Sequence, residues 1–203
     1  MHLAVFGASF DPPHNGHLAL SLFARELLGL DRIILSVSNN PFKKKRGATD
    51  VHRLCMAKLL SLEINYTGLC SEVSGWELEK KQPSYTVDLL RHLHHLYPTD
   101  KITLLVGEDS FSEFSMWKEP DALFLLGDIV VFSRVVARQS TPQPAIMQQN
   151  GSFRVIDFSS PISSTHIRDS VAAGASFSRL VPPSVYRYII EHGLYRQPLD
   201  PAT

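Results

Sequence analysis

Leu3-Ala4-Val5-Phe6-Gly7-Ala8-Ser9-Phe10-Asp11-Pro12-Pro13-His14-Asn15-Gly16-His17 joins an apolar run, a loop of glycine and prolines, and two histidines. An amphipathic run from Leu18 to Leu28 follows, so the stretch reads as strand, loop and helix. That reading sets His14 and His17 at i and i+3 on the first helical turn, facing the same way. A helix N-terminus presents unpaired N–H groups and the positive end of a dipole, and both favour an anion. Two imidazoles added there make a site for a polyphosphate. Gly16, having no Cβ, lets phosphates approach the backbone closely. Pro12 and Pro13 stiffen the turn after Asp11 and remove two N–H donors. A capped turn with surface histidines explains either imidazole alone but not the whole pattern.

Outward from this stretch, short apolar runs recur at Leu3–Phe6, Ile33–Val37, Ile102–Val106, Ile129–Phe132 and Phe153–Phe158. Most lack strict alternation, as parallel strands buried on both faces do. Helical patterns lie between them. The first, from about Gly16 to Leu28, sets Ala19, Phe23 and Leu27 on one face and stops at Gly29. The second, from Asp50 to Ile64, carries Leu54, Ala57, Leu60 and Ile64. The third begins near Ser84, carries Val87, Leu90, Leu93 and Leu96, and ends before Pro98. Two more are expected near Thr165–Ala173 and Pro182–His192. Trp76 and Glu77 open a strand-like stretch. Arg138–Gly151, rich in Gln, Pro and Ser, reads as an exposed connection. The alternation predicts an α/β fold, a Rossmann-like doubly wound parallel sheet with a small C-terminal helical extension at about 159–196, all in one domain over 1–203. Ligands of such sheets bind beyond the carboxyl ends of the strands, where the opening loop lies.

Composition narrows the class. The 203 residues carry 20 basic and 20 acidic side chains, which argues against a broad basic face for nucleic acid. Cys55 and Cys70 form no C-x-x-C pair and read as reduced thiols of a cytoplasmic protein. No apolar run approaches the length of a membrane span, and the N-terminal run is too short for a signal peptide. His92, His94 and His95 have no Cys or carboxylate at ligand spacing and read as a solvated helix end. Tyr186, Tyr188 and Tyr195 read as packing of the last helix.

A second informative stretch is Ile162-Ser163-Ser164-Thr165-His166-Ile167-Arg168. Three hydroxyl residues precede a helix, so one can cap it while others donate to phosphate oxygens. Arg168, one turn in, brings a guanidinium fork to the same place. Together the two stretches resemble the nicotinate (or nicotinamide) mononucleotide adenylyltransferase family of the H-x-G-H nucleotidyltransferase superfamily. The similarity runs nearly end to end. Pro83-Ser84-Tyr85-Thr86-Val87-Asp88-Leu89-Leu90 matches the family's P-S-Y-T-x-D-T-L segment. Gly107-Glu108-Asp109-Ser110 with Trp117 matches G-x-D-S…W, and Ile162–Arg168 matches I-S-S-T-x-I-R. Val181-Pro182-Pro183 and Gly193-Leu194-Tyr195 are similar to the C-terminal part of the bacterial enzymes.

The resemblance implies roles residue by residue. His14, His17 and Arg168 would be catalytic, the histidines on the triphosphate of ATP. Ser163, Ser164 and Thr165, after Ile162, would hold its phosphates. Gly7, Ser9, Phe10 and Gly16 would line the nucleotide pocket, with Gly107 and Asp109 near the riboses. Ser84, Tyr85 and Thr86 would receive the mononucleotide, Thr86 at the nicotinate carboxyl, Trp117 stacked on the pyridine ring and Arg134 facing the phosphate. The loop Asn40-Pro41-Phe42-Lys43-Lys44-Lys45-Arg46 departs from the family's P-P-H-K: Phe42 replaces the histidine, leaving Lys43 or Lys44 to supply an ammonium. Ala8 replaces a more usual glycine and demands a negative φ.

The chemistry so implied is adenylyl transfer from ATP to nicotinate mononucleotide, giving nicotinate adenine dinucleotide and pyrophosphate. Mg²⁺ is expected on the ATP phosphates, held by substrate oxygens and water, with no protein metal site. Nicotinamide mononucleotide, or both mononucleotides, and pantetheine phosphate are the alternative acceptors. A synthetase-like protein acting on tRNA would need a K-M-S-K-S loop that is missing here, and a nucleotide sensor would not need both histidines and Arg168. Neither a nucleic acid nor a membrane is expected as partner, and the sequence leaves homo-oligomerisation open.

Overall fold

Apolar runs without alternation demand cover on both faces, and the computed structural model, which describes residues 1–39, 47–80, 82–133 and 153–196, provides it for the first four runs, whereas the run at Phe153–Phe158 lies at the sheet edge with Val155 56% exposed. In chain order the elements are β1 (His2–Ala8), α1 (Asn15–Leu28), β2 (Arg32–Val37), α2 (Asp50–Asn65), β3 (Ser71–Ser74), α3 (Trp76–Glu79), α4 (Thr86–Leu96), β4 (Lys101–Gly107), α5 (Glu108–Phe111), a 3₁₀ turn (Phe114–Met116), α6 (Pro120–Leu126), β5 (Asp128–Ser133), β6 (Phe153–Asp157), α7 (Ser164–Ala172) and α8 (Pro183–Glu191). The six strands lie in the order β3-β2-β1-β4-β5-β6, all parallel. Val5 pairs with Ile34 on one side and Leu104 on the other, so β1 lies at the centre. Strand order reverses between β1 and β4, and a doubly wound sheet opens a crevice at that reversal. Gly7 and Ala8 end β1 there, and Gly107 ends β4. The expected α/β Rossmann-like sheet is therefore present.

Each face has its own core. Phe6, Leu35, Leu20, Ala24 and Leu60 join one face of the sheet to α1 and α2. Val5, Leu104, Leu90, Phe114 and Leu123 join the other to α4 and α6. Met56 on α2 packs with Ile167, Val185 and Ile189, which docks α7 and α8 beside the sheet. No helix among the described residues is long and apolar enough to cross a membrane. Cys55 and Cys70 are free thiols.

Three expectations need correction. The buried stripe of α1 is Gly16, Leu20 and Ala24, while Phe23 and Leu27 are 38% and 46% exposed. Both stripes have helical spacing, and the sheet chose the slimmer one, whose small residues allow closer approach. Phe23 instead stacks on Phe158 at 5.6 Å. The histidines of α4 are partly packed: the His92 ring lies parallel to Trp76 at 4.3 Å, and His94 bonds the Leu126 carbonyl. Trp76–Glu79 forms a helical turn, not a strand. Its Glu77 is 4% exposed, accepting from Ser36 Oγ at 2.8 Å and from the Asn39 N–H at 3.4 Å. A side chain bonded inward at this point fixes the turn to the end of β2. Arg138–Gly151 lies outside the described residues.

Burial pushes the Glu77 carboxyl above its ordinary value near 4.5, against the two bonds that favour its charge. The folded protein therefore keeps this proton to higher pH than the unfolded chain. Stability falls as pH rises from the ordinary glutamate value through the raised one and levels off above it. Urea melts of wild type and Glu77→Gln across that window should show the wild type losing stability relative to the variant. A difference between them that is constant with pH would contradict the assignment.

Candidate active site

The loop between β1 and α1 carries the histidines, and its conformation is imposed from outside. Phe10 adopts φ +48° and is fully buried, a left-handed backbone for a bulky residue that costs about 1–3 kcal/mol. Ala8 keeps the negative φ its Cβ requires. Arg53 on α2 donates through Nη1 to the carbonyls of Ser9 at 2.9 Å and Ser38 at 3.0 Å, tying the ends of β1 and β2 together. Asp50 accepts its Nη2 at 2.9 Å and compensates the buried charge.

His14 is the N-cap of α1, so only His17 lies within the helix. The two rings still come together, with centroids 3.8 Å apart. The His14 N–H donates to His17 Nδ1 at 3.1 Å. With Nδ1 accepting, the proton of the neutral ring sits on Nε2, which makes Nε2–H the donor for an anion. Phe10 packs against that ring at 5.3 Å with the planes tilted by 54°, and it belongs to the core behind the histidine and lines neither described cavity.

Two cavities open at the strand reversal. One, of about 200 Å³, is lined by Gly7, Ser9, His14, Gly16, His17, Gly107, Asp109 and Ile162, together with Ser160. The other, of about 240 Å³, is lined by Ser84, Tyr85, Thr86 and Trp117, together with Glu77 and Lys118. Both share Gly7, Ala8, Gly107 and Ser110, so they form two halves of one cleft. The structure thus brings together two sets of predicted residues from opposite faces of the sheet. Lys43, Lys44 and Arg134 lie outside the described residues.

Glycines explain the join. A Cβ at Gly7 or Gly107 would meet nothing within 4 Å and would stand in the open cleft. A Cβ at Gly16 would come within 2.6 Å of Ser160 Oγ and 2.9 Å of His14 Nδ1. The backbone is open to the cleft at Gly7 and Gly107, whereas at Gly16, which also lines the imidazole half, a Cβ would press on Ser160 and His14. Packing therefore gives Gly16 a reason beside the one the sequence suggests.

The second motif is placed beside the loop. Ser163 caps α7, accepting from the His166 N–H at 3.2 Å. Ser164 Oγ donates to the Pro12 carbonyl at 2.8 Å, and Arg168 Nη1 donates to the Asp11 carbonyl at 2.7 Å. Arg168 Nη2 reaches Thr165 Oγ1 at 3.2 Å. Of this segment Ile162 alone reaches the lining of either described cavity, and Ser164 and Arg168 bond the histidine loop. Arg53, Ser160 and Lys118 had no sequence signal strong enough to single them out. Lys118 follows Trp117 directly and forms an ion pair with Asp88 at 3.2 Å.

A six-stranded parallel sheet with paired histidines at its reversal point defines a nucleotidyltransferase, and the sequence pattern of the cytidylyltransferase-like family matches residues 5–170. A protein of Pelodictyon phaeoclathratiforme named probable nicotinate-nucleotide adenylyltransferase is 65% identical over 96% of this chain and 92% of its own length. One of the same name from Chlorobium limicola is 52% identical over 97% of this chain and all of its own length. The nicotinic acid mononucleotide adenylyltransferase of Plasmodium falciparum, solved with NaAD, shares the fold, with TM-score 0.77 at 18% identity over 96% of this chain and 97% of that one. The chain belongs to the nicotinate-nucleotide adenylyltransferase family.

The two kinds of glycine separate experimentally. Gly7→Ala should leave the melting temperature nearly unchanged and raise KM for a nucleotide substrate about tenfold or more, since its methyl occupies ligand space. Gly16→Ala should instead lower stability by about 1–3 kcal/mol through overpacking. Calorimetric melts beside steady-state kinetics distinguish these outcomes, and a destabilised Gly7→Ala with normal KM would reverse the assignment.

Proposed function

We propose that this chain transfers AMP from ATP to nicotinate mononucleotide, forming nicotinate adenine dinucleotide and pyrophosphate in NAD biosynthesis. The observation that carries this reading is the single cleft with unlike halves meeting at Gly7 and Gly107. The imidazole half, at the N-terminus of α1, suits a triphosphate. The half walled by Tyr85, Thr86 and Trp117 suits a pyridine ring. The names of the close relatives point the same way.

The acceptor's phosphate is already a nucleophile at neutral pH. Its oxygen bonds to the α-phosphorus of ATP as the bond from that phosphorus to the bridging oxygen breaks, and pyrophosphate carries away the electron pair. No side chain becomes covalently attached, so catalysis consists of in-line positioning and of stabilising charge on the leaving group. His17 Nε2–H, His14 and the dipole of α1 meet that charge. Two of the five N–H donors of Arg168 hold Asp11 and Thr165, and the others serve the phosphates beside Ser163, Ser164 and Thr165. Asp109 and Gly107 serve the ribose, and Lys43, Lys44 and Arg134 are assigned to phosphates. The donors along the imidazole half are hydroxyls, imidazoles and the carboxylates of Glu108 and Asp109. Such a set fits Mg²⁺ that arrives on the ATP oxygens and keeps its waters, where it would supply charge neutralisation. A cytoplasmic protein of one nucleotidyltransferase domain completes the reading.

The pyridine half favours a negative charge. Tyr85 caps α4 and its carbonyl accepts the Asp88 and Leu89 N–H groups, which leaves those of Thr86 and Val87 without intrahelical partners, and Lys118 lines the same wall. A nicotinate carboxylate accepts from such donors, whereas the NH₂ of nicotinamide opposes them donor to donor. Charge-assisted acceptance is worth ~1.5–3 kcal/mol and a mispaired buried donor costs a further ~1–3 kcal/mol. Steady-state kinetics with the two mononucleotides should therefore give a kcat/KM ratio of roughly 100 or more for nicotinate. Equal values would defeat the helix-terminus argument. In the same assay His17→Ala should lower kcat by roughly one to two orders of magnitude while the protein stays folded. Unchanged kcat would remove His17 from catalysis.

A further inference from the structure

Asp11 lies three residues before His14 and lines neither described cavity. Its Oδ1 accepts the Tyr195 O–H at 2.7 Å and the Ala48 N–H at 2.9 Å. Its main-chain oxygen accepts Arg168 Nη1 at 2.7 Å. A Cβ at Gly47 would overlap the carboxylate, so the 47–48 stretch lies directly against it. Three segments distant in sequence therefore converge on one residue of the histidine loop.

Tyr195 is built for this contact. It follows Gly193, whose φ of +59° ends α8, and it takes φ +63° itself, a left-handed conformation for an aromatic residue. Its ring packs with the cluster around Met56, and its hydroxyl lies 3.9 Å from the Met56 sulfur. Burial, then the Asp11 carboxylate, pushes the phenol far above its ordinary value, so its oxygen keeps the proton it donates. Tyr195 lines neither described cavity.

We propose that Tyr195 and Asp11 form a latch that positions the histidine loop for the triphosphate, Tyr195 acting through Asp11 and neither touching substrate. The latch rests on the reading of the imidazole half as the ATP side of the cleft. The loop contains two prolines and a residue at positive φ, so its register on α1 is held by these outside donors. Displacement of a positioned group by about 1 Å lowers rate or affinity by up to ~100-fold. A residue from the last turn of the fold thus sets the geometry of imidazoles near the first strand.

The test measures KM for ATP, KM for nicotinate mononucleotide and, by calorimetry, the Kd of a non-hydrolysable ATP analogue. Tyr195→Phe, which loses one oxygen, should raise KM and Kd on the ATP side about tenfold and leave KM for the mononucleotide within about twofold. Asp11→Ala should reproduce this, and adding Tyr195→Phe to it should bring no further loss. Asp11→Asn, whose amide oxygen accepts the same two bonds, should restore near wild-type values. Wild-type ATP parameters in Tyr195→Phe, a parallel rise in both KM values, or Asp11→Asn as impaired as Asp11→Ala would each overturn the latch. If Tyr195→Phe does not fold, the Asp11→Ala and Asp11→Asn pair decides alone. A wild-type protein that binds the analogue yet makes no dinucleotide would defeat the proposed reaction, and the analogue Kd values would still judge the latch.

Discussion

The histidine loop cannot satisfy its own backbone, and the rest of the site depends on how that is resolved. Residues between β1 and α1 leave the sheet ladder before the helix begins, so their carbonyls need donors from elsewhere. Arg53 supplies the Ser9 carbonyl, Arg168 that of Asp11 and Ser164 that of Pro12. Leu180 accepts the Asn15 N–H at 2.9 Å, and Arg179 accepts the Asn15 side-chain amide at 3.0 Å. The C-terminal helices exist in this fold to deliver such groups. Their core, around Met56, Ile167 and Val185, holds them at the distance the bonds require.

This gives the hydroxyl-arginine motif a double character. A serine and an arginine after a strand end look from sequence like phosphate ligands. In the folded chain Ser164 and Arg168 first hold the loop that carries the imidazoles. The phosphate role proposed for the motif would use donors at the same helix N-terminus, and the geometry that suits a carbonyl also suits a phosphate oxygen. Loss of Arg168 therefore acts first on the loop, through the Asp11 carbonyl.

How much was legible follows from the range of each interaction. The central strands are read from sequence because both faces are buried and their residues are continuously apolar. β3, Ser-Glu-Val-Ser at a sheet edge and half-buried, carries no such signal. The buried face of α1 was misread because Ala19, Phe23 and Leu27 repeat as regularly as Gly16, Leu20 and Ala24, and only the sheet distinguishes them. His14 and His17 are legible because they are local to the turn they occupy. Arg53 and Tyr195 meet the loop from 44 and 184 residues away along the chain, Ser160 lies against Gly16 at the start of α1, and no local pattern reports such contacts.

The central claim is that one cleft, split by the backbone of Gly7 and Gly107, holds the two nucleotides on opposite faces of the sheet. A crystal structure with nicotinate adenine dinucleotide bound tests it most directly. The account predicts the pyridine ring beside Trp117 and Thr86, the adenylate on the side of His17 and Asp109, and the pyrophosphate crossing between the two glycines. A dinucleotide lying wholly in the imidazole half, or with its pyridine end away from Trp117, would contradict it.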